Sequence, residues 1–352
     1  MQTFSQFLKI IENFVSEQRF WGKNTSLYEP IEYMFSLPAK RVRPALMLLG
    51  YQLFSKDYQK ALPIAFAYEA FHNFTLIHDD IMDQAPLRRG FPTIHIKYNT
   101  NAGILSGDAL LINVYEYIRK HTPSEKLDKV LECFNKMAIE VCEGQQMDME
   151  FEKAQVVSLT DYLEMIQFKT AVLLGASLST GAILADASDA DTEFCYELGT
   201  NLGMAFQMQD DYLDVWGDQN QTGKQKAGDI INGKKSAPYI LALQVLPEYE
   251  KQTLINIYNT DKPQQEEKIK IVLGLFEQAG AQQAIRDLKN VYHSKTVQLL
   301  EHISAPDENK KHLHDLIELL LDRNVSIAIN YKIMSSALHS TQPLSSSAPI
   351  FS

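Results

Sequence analysis

No proline occurs between Pro123 and Pro238, although thirteen are scattered over the 352-residue chain. Proline removes a backbone donor and clashes with the preceding helical turn, so this long middle region is free to form uninterrupted helices. Within it, Leu127 to Glu152, Leu159 to Thr180 and Thr192 to Val215 place apolar residues at three- and four-residue spacing. That is the period of a helix with one buried face. Period-two alternation, the mark of a half-buried strand, is hard to find. The chain therefore reads as all-α, punctuated at Pro38, Pro44, Pro86, Gly90, Pro92, Gly217, Gly223, Gly233 and Pro238. No linker of disordered composition divides it, so residues 1–334 are expected to form a single domain. Ser335 to Ser352 hold seven serines and two prolines and are expected to be a disordered tail.

A composition of 45% hydrophobic residues is ample for a buried core. The net charge of −11 argues against nucleic acid or an anionic membrane surface as the main partner. Cys133, Cys142 and Cys195 are odd in number and lack paired spacing, which gives neither a disulfide framework nor a zinc signature and points to a reducing cytoplasm. Met1 to Trp21 lacks the basic start and continuous apolar stretch of a signal peptide. No later run reads as a membrane span.

Two copies of one acidic pattern stand out: Asp79-Asp80-Ile81-Met82-Asp83 and Asp210-Asp211-Tyr212-Leu213-Asp214, each DDxxD. On a helix, Asp79 with Asp83 and Asp210 with Asp214 are i,i+4 pairs that share a face. Carboxylates this close repel unless they hold protons or bind a hard divalent cation through oxygen. Either motif taken alone could be a solvated helix face. The apolar residues around both copies place them instead on largely buried helices, where acids need partners.

Cations are concentrated near these acids. Lys40-Arg41-Val42-Arg43 precedes Pro44 at a helix entrance, Arg88-Arg89 follows the first DDxxD, and Lys224, Lys226, Lys234 and Lys235 follow the second. Any single lysine here could be ordinary surface charge. A dicarboxylate helix followed closely by two arginines is, however, what a metal-bridged diphosphate site requires, because arginine binds phosphate oxygens in pairs.

From Tyr28 to Arg323 the chain resembles the trans-isoprenyl diphosphate synthases, also called polyprenyl synthetases. The resemblance rests on Lys40-Arg41-Val42-Arg43-Pro44, then His72 and His78 with the first DDxxD and Arg88-Arg89-Gly90. It continues through Gly107-Asp108, Gly144-Gln145 and Lys169-Thr170 to Phe206-Gln207, the second DDxxD, Gly217-Asp218 and Gly223-Lys224. Pro38-Ala39 departs from the Gly-Gly of relatives and puts the local loop shape in question. The resemblance implies a helical bundle around a central cavity, usually a homodimer, in which an allylic diphosphate loses pyrophosphate and its carbocation is attacked by isopentenyl diphosphate. It implies Mg2+ as cofactor, about three ions with substrate bound, held by Asp79, Asp83, Asp210 and Asp214, while Asp80 and Asp211 ligate or orient. Lys40, Arg43, His72 and Arg89 would hold isopentenyl diphosphate. Arg88, Lys169, Thr170, Gln207, Lys224 and Lys234 would hold the allylic diphosphate.

In this family the residues four and five before the first Asp form the floor under the growing chain, here Thr75 and Phe74. Five residues of helix rise about 7.5 Å, comparable to one or two isoprene units. An aromatic at the deeper position and none beside it imply a twenty-carbon product, geranylgeranyl diphosphate, with farnesyl diphosphate second. Phe71 and Tyr115 also stand to shape the floor, and a Phe74 that merely packs is the alternative. Other readings are a terpene cyclase, which would leave Lys40, Arg43 and Arg89 superfluous, and a non-catalytic subunit, which could lose an acid cluster that is intact here. An HD-type metal phosphohydrolase built on His72 and His78-Asp79 would leave the second DDxxD without work.

Overall fold

The computed structural model describes residues 2–18, 24–217, 227–259 and 265–321. The helices are α1 (Gln2–Glu17), α2 (Thr25–Ser36), α3 (Val42–Phe54), α4 (Leu62–Met82), the single turn α5 (Ile94–Lys97), α6 (Thr100–His121) and α7 (Leu127–Lys153). They continue with α8 (Leu159–Ile166), α9 (Val172–Leu184), α10 (Asp189–Trp216), the short α11 (Gly228–Asn232), α12 (Ala237–Val245), α13 (Glu248–Tyr258), α14 (Gln265–Gln278), α15 (Ala281–His302) and α16 (Asp307–Leu321). Among the described residues the strands are two-residue pieces, β1 (Leu87–Arg88) and β2 (Phe91–Pro92), paired antiparallel. The proline-free region holds the long helices α7 and α10 in full, as its periodicity predicts.

Every residue of α9 is buried. Its neighbours approach it closely because small residues line the crossings. A Cβ at Gly181 would sit 2.1 Å from the Met47 carbonyl oxygen of α3. One at Gly50 would sit 2.1 Å from that of Leu178, so the α3–α9 contact is backbone against backbone. Burying each large apolar side chain along such a helix contributes about 1.5–3 kcal/mol. One correction follows. Leu159–Leu184 runs as one helical stretch long and apolar enough to cross a bilayer, but 72% of its most apolar window is buried inside the bundle. Its hydrophobicity is that of a core element surrounded by other helices.

The apolar core has two parts joined by α10, which contributes Leu198 and Leu202 to one and Met208 and Val215 to the other. The expected Ser335–Ser352 tail lies outside the described residues.

Candidate active site

The first acidic motif ends α4. Asp83 follows the last helical residue, and its N–H donates to the Asp79 carbonyl at 2.8 Å. Gln84 then takes φ 51°, and Arg89 (φ 56°) and Gly90 (φ 83°) form the turn between β1 and β2. Positive φ at both central residues makes the tight hairpin turn that matches strand twist. This turn folds Arg88 back onto α4, with Nη2 2.5 Å and Nε 3.0 Å from Asp80 Oδ1. Asp80 is 2% exposed, and burial holds its pKa above the usual carboxylate value although Arg88 opposes the rise.

Asp79 is treated differently. Its Oδ1 is buried without a hydrogen bond, and the nearest cation, Lys169 Nζ, lies 3.4 Å away. The same ammonium donates to Asp148 Oδ2 on α7 at 2.6 Å. Lys169 and Thr170 lie in a π-helical turn, Gln167–Ala171, between α8 and α9. Such single wide turns recur at functional sites. Gly144 of α7 makes room for it, since a Cβ there would lie 2.2 Å from the Lys169 backbone nitrogen. Asp83 is exposed to the cleft, yet burial of its carboxyl and then the Asp79 charge push its pKa up to about 6.

The second motif lies on α10. Asp211 is buried and accepts hydrogen bonds from the Tyr162 hydroxyl, from Gln207 Nε2 at 2.9 Å and from the Ala237 N–H at 2.9 Å. Burial and Asp229 raise its pKa, while these three donors oppose the rise. Asp214 Oδ2 accepts from the Asp229 N–H at 3.0 Å. Lys234 lies between the two motifs. Burial alone would lower its pKa, but Asp148, Asp229, Asp211 and Asp83 together raise it above the lysine range.

The basic segment before α3 divides its residues between the core and the site. Arg41, with φ 48° at the helix N-cap, turns inward to Glu69 (2.8 Å) and Glu12 (3.0 Å). Arg43 faces the other way into a cavity of about 340 Å³ that also borders His72, Asp79, Lys169 and Thr170. Burial pushes Arg43 down to about 10, with Arg89 adding to the fall and Glu69 opposing it. His72 is held well below its ordinary value, first by burial and then by Arg43, Arg89 and Arg88. Arg43 Nε and Gln145 Nε2 are buried donors without hydrogen-bond partners in this cavity. Lys40 extends over the Phe206 ring of α10, 5.4 Å from its centroid. The two buried donors, Arg43 Nε and Gln145 Nε2, are of the kind that diphosphate oxygens would satisfy. A larger cavity of about 620 Å³ lies at the opposite end of the bundle. Its Lys126 and Lys129 already pair with Asp186 (2.8 Å) and Asp189 (2.7 Å), and neither acidic motif reaches it.

Several expected residues occupy unexpected company. Arg88 binds Asp80 and Gln207 binds Asp211, so both orient acids in this state. Lys224 and Asp218 lie outside the described residues. His78 turns to α6, with Nε2 3.2 Å from the Ile104 carbonyl, and stacks edge-on against Phe74. It therefore packs, which removes the basis of the phosphohydrolase reading. The sequence reading missed Asp148, Asp229, Tyr162 and His95. Asp148 stands four residues after Gly144 on the same face of α7, and Asp229 lies between Gly223-Lys224 and Gly233-Lys234, so spacing could have flagged both. His95 Nδ1 is buried without a hydrogen bond on α5 beside the first motif. Nothing in the sequence singles out Tyr162.

A helical bundle with two DDxxD helices, and a cavity lined by Arg43, His72, Asp79 and Lys169 beside the first, defines a class of diphosphate-handling isoprenoid enzymes. The polyprenyl synthetase family model matches residues 24–276, and the chain belongs to that family. A short chain isoprenyl diphosphate synthase from Methanocaldococcus jannaschii is 41% identical over 245 residues, 70% of this chain and 75% of that one. A geranylgeranyl diphosphate synthase from Sulfolobus acidocaldarius is 38% identical over 261 residues, 73% and 78% of the two chains. Among solved structures, a geranylgeranyl pyrophosphate synthase superposes with a TM-score of 0.84 at 38% identity, covering 92% of this chain and 98% of that one.

Proposed function

We propose that the protein is a short-chain trans-prenyltransferase that condenses isopentenyl diphosphate with dimethylallyl, geranyl or farnesyl diphosphate and releases pyrophosphate. The observation that carries this reading is the cavity itself, which Asp79 shares with Arg43, Lys169, Phe74 and Thr75. The family shown above fits the same chemistry.

Divalent metal fits the acids. Among the described residues no three carboxylates already form a cage, and Lys169, Lys234 and Arg88 stand among them instead. Asp79 Oδ1, buried without a hydrogen bond, and Asp83, raised by burial and by the Asp79 charge, offer all-oxygen donors that suit a hard cation. We assign Asp79, Asp83, Asp210 and Asp214 to Mg2+. When bound, Mg2+ would neutralise charge on the departing pyrophosphate.

The protein's own residues do the rest. Lys169, Thr170, Lys234 and, from outside the described residues, Lys224 hold the allylic diphosphate, and Arg88 can exchange Asp80 for it. Lys40, Arg43, Arg89 and a neutral His72 hold isopentenyl diphosphate. These preorganised donors stabilise negative charge as the allylic C1–O bond breaks and its electron pair leaves with pyrophosphate. The C3=C4 double bond of isopentenyl diphosphate then bonds through C4 to the allylic C1. Loss of a C2 proton to a pyrophosphate oxygen forms the new double bond, so no protein nucleophile is required.

Phe74 as floor and Thr75 above it favour geranylgeranyl diphosphate as the product. Ile104, Leu105, Ile112 and Tyr115 of α6 and Ile139 of α7 expose apolar surface that supports a homodimer. Three cysteines without disulfides suit a cytoplasmic setting, and residues 1–334 are assigned to one catalytic domain. The test is product analysis with Mg2+, labelled isopentenyl diphosphate and each allylic primer in turn. A twenty-carbon endpoint is expected. A fifteen-carbon endpoint would keep the enzyme class and reject the floor, and no elongation with any primer would favour a cyclase or non-catalytic subunit.

A further inference from the structure

Lys40 and Arg43 have a place in the proposed chemistry, but Arg41 between them has none. It is 3% exposed, and each of its guanidinium nitrogens has a partner. Nε donates to Glu12 Oε1 of α1 at 3.0 Å, Nη1 to Glu69 Oε1 of α4 at 2.8 Å and Nη2 to the Phe35 carbonyl at 3.3 Å. A planar fork of five donors suits three separated acceptors in a way that a point-like ammonium does not. The backbone at Arg41 is left-handed, φ 48°, a conformation that favours glycine. The three contacts hold an arginine there and direct its side chain inward, away from the cavity that Arg43 borders.

Glu69 is the reason to keep an arginine in that place. It is 2% exposed, and a carboxylate buried so deeply needs a cation beside it. Arg41 supplies one. Arg43 is the other arginine on which the Glu69 charge acts: burial lowers the Arg43 pKa first, and Glu69 opposes the fall. Glu69 also stands three residues before His72 on the same face of α4, and His72 borders the cavity with Arg43. Arg43 nevertheless keeps a buried Nε without a hydrogen bond, because Glu69 is already paired with its neighbour in the chain. Glu12 is 42% exposed at its side chain, so the pair shut away from water is Arg41 with Glu69.

We propose, resting on the prenyltransferase reading, that Arg41 is a positioning residue that occupies the buried Glu69 carboxylate and so leaves Arg43 available to isopentenyl diphosphate. Without Arg41, the uncompensated Glu69 draws the Arg43 guanidinium to itself, and the substrate loses a charged donor. The two arginines of the segment therefore divide the work: one neutralises the acid of the scaffold, and the other keeps its charge for the ligand.

The experiment measures initial rates with Mg2+, isopentenyl diphosphate and geranyl diphosphate, each substrate varied in turn, for wild type, Arg41→Gln and Arg41→Gln combined with Glu69→Gln. Circular dichroism melting checks folding. Arg41→Gln is expected to raise the KM for isopentenyl diphosphate about tenfold or more, the size of one lost charge-assisted contact. The KM for geranyl diphosphate is expected to stay near the wild-type value. Adding Glu69→Gln is expected to bring the KM for isopentenyl diphosphate back toward wild type, although a second buried group has been altered. A residue that only holds the fold together would not be rescued in this way. Where Arg41→Gln does not fold, Arg41→Lys carries the same comparison with a smaller rise, again relieved by Glu69→Gln. An unchanged KM for isopentenyl diphosphate in the single variant would overturn the inference, since Glu69 would then be taking up a proton instead of Arg43. A parallel rise for both substrates, or no relief in the double variant, would overturn it as well. Elongation by wild type is read separately: its absence would sink the enzyme class and this inference with it, whereas elongation without the substrate-selective rise and rescue would sink this inference alone.

Discussion

On α4, Asp79 presents a buried oxygen without a hydrogen bond and Asp83 is pushed up to about 6, whereas on α10 Asp211 is held by a tyrosine hydroxyl, a glutamine amide and a backbone N–H. A flanking acid of the first copy keeps a buried oxygen without a hydrogen bond, 3.4 Å from Lys169, while the middle acid of the second is satisfied by three donors. Both copies also share a rule. Each middle aspartate is the most buried of its three, Asp80 at 2% and Asp211 at 4% exposed, and is tied down by the protein. Of the flanking aspartates, Asp83 is exposed and Asp79, Asp210 and Asp214 are partly buried. The middle aspartate of each DDxxD is thus an anchor, and the flanking ones are those proposed as metal ligands.

The strongest challenge to that division is catalytic. Asp79→Ala and Asp210→Ala should each lower turnover by about three orders of magnitude or more while the fold is retained. Near-wild-type product formation in both would leave the flanking acids without a metal role.

Stability should separate the two copies. Asp211→Ala strands buried donors and should lower the unfolding free energy by about 1–3 kcal/mol. Asp79→Ala removes a carboxylate that lacks a hydrogen bond at Oδ1 and should leave the metal-free protein as stable or more so. Equal losses in chemical denaturation would erase the distinction between anchor and ligand.

A pH series sharpens the first copy. The folded Asp83 value of about 6 lies above the ordinary 3.8, so the folded chain holds this proton more tightly than the unfolded one. The stability it contributes is fully present below about pH 4 and is lost as pH rises through about 6. Melting temperatures of metal-free protein should carry a downward contribution across that window, flattened in Asp83→Asn. Mg2+ with pyrophosphate should raise the melting temperature more at pH 8 than at pH 5, and an equal rise at both would argue against Asp83 as a ligand.

The smallest effect is expected from Tyr162→Phe, which removes one of the three donors to Asp211. It should cost about 1 kcal/mol and leave turnover within a few-fold, because Gln207 and the Ala237 N–H remain. A loss as large as that of Asp211→Ala would make Tyr162 the dominant anchor.

Much of this arrangement was legible before any coordinates. The limits of α7 and α10 follow the apolar period to within a few residues, and the i,i+4 acids lie where a helix must put them. Of the basic segment, the sequence reading favoured Lys40 and Arg43 over Arg41 through family likeness alone. The physical reason, that Arg41 is claimed by Glu69 and Glu12, spans parts of the chain far apart in sequence. In this state Arg88 folds back to Asp80, a contact the motif does not reveal, because a two-residue turn with positive φ reverses the chain just after it. The floor was read as Phe74, while its neighbour Phe71 packs against Phe134, sixty residues beyond Phe74 on another helix.

The sequence by itself determined the helices, the faces that carry the acids and the family to which the chain belongs, because helical period and motif spacing are local properties of the chain. Only the tertiary structure decided which aspartate of each trio is anchored, and which rings pack around Phe74 and Phe71. Burial, charge and ring packing are set by whichever distant helices come to lie alongside, and that proximity is absent from the order of residues along the chain.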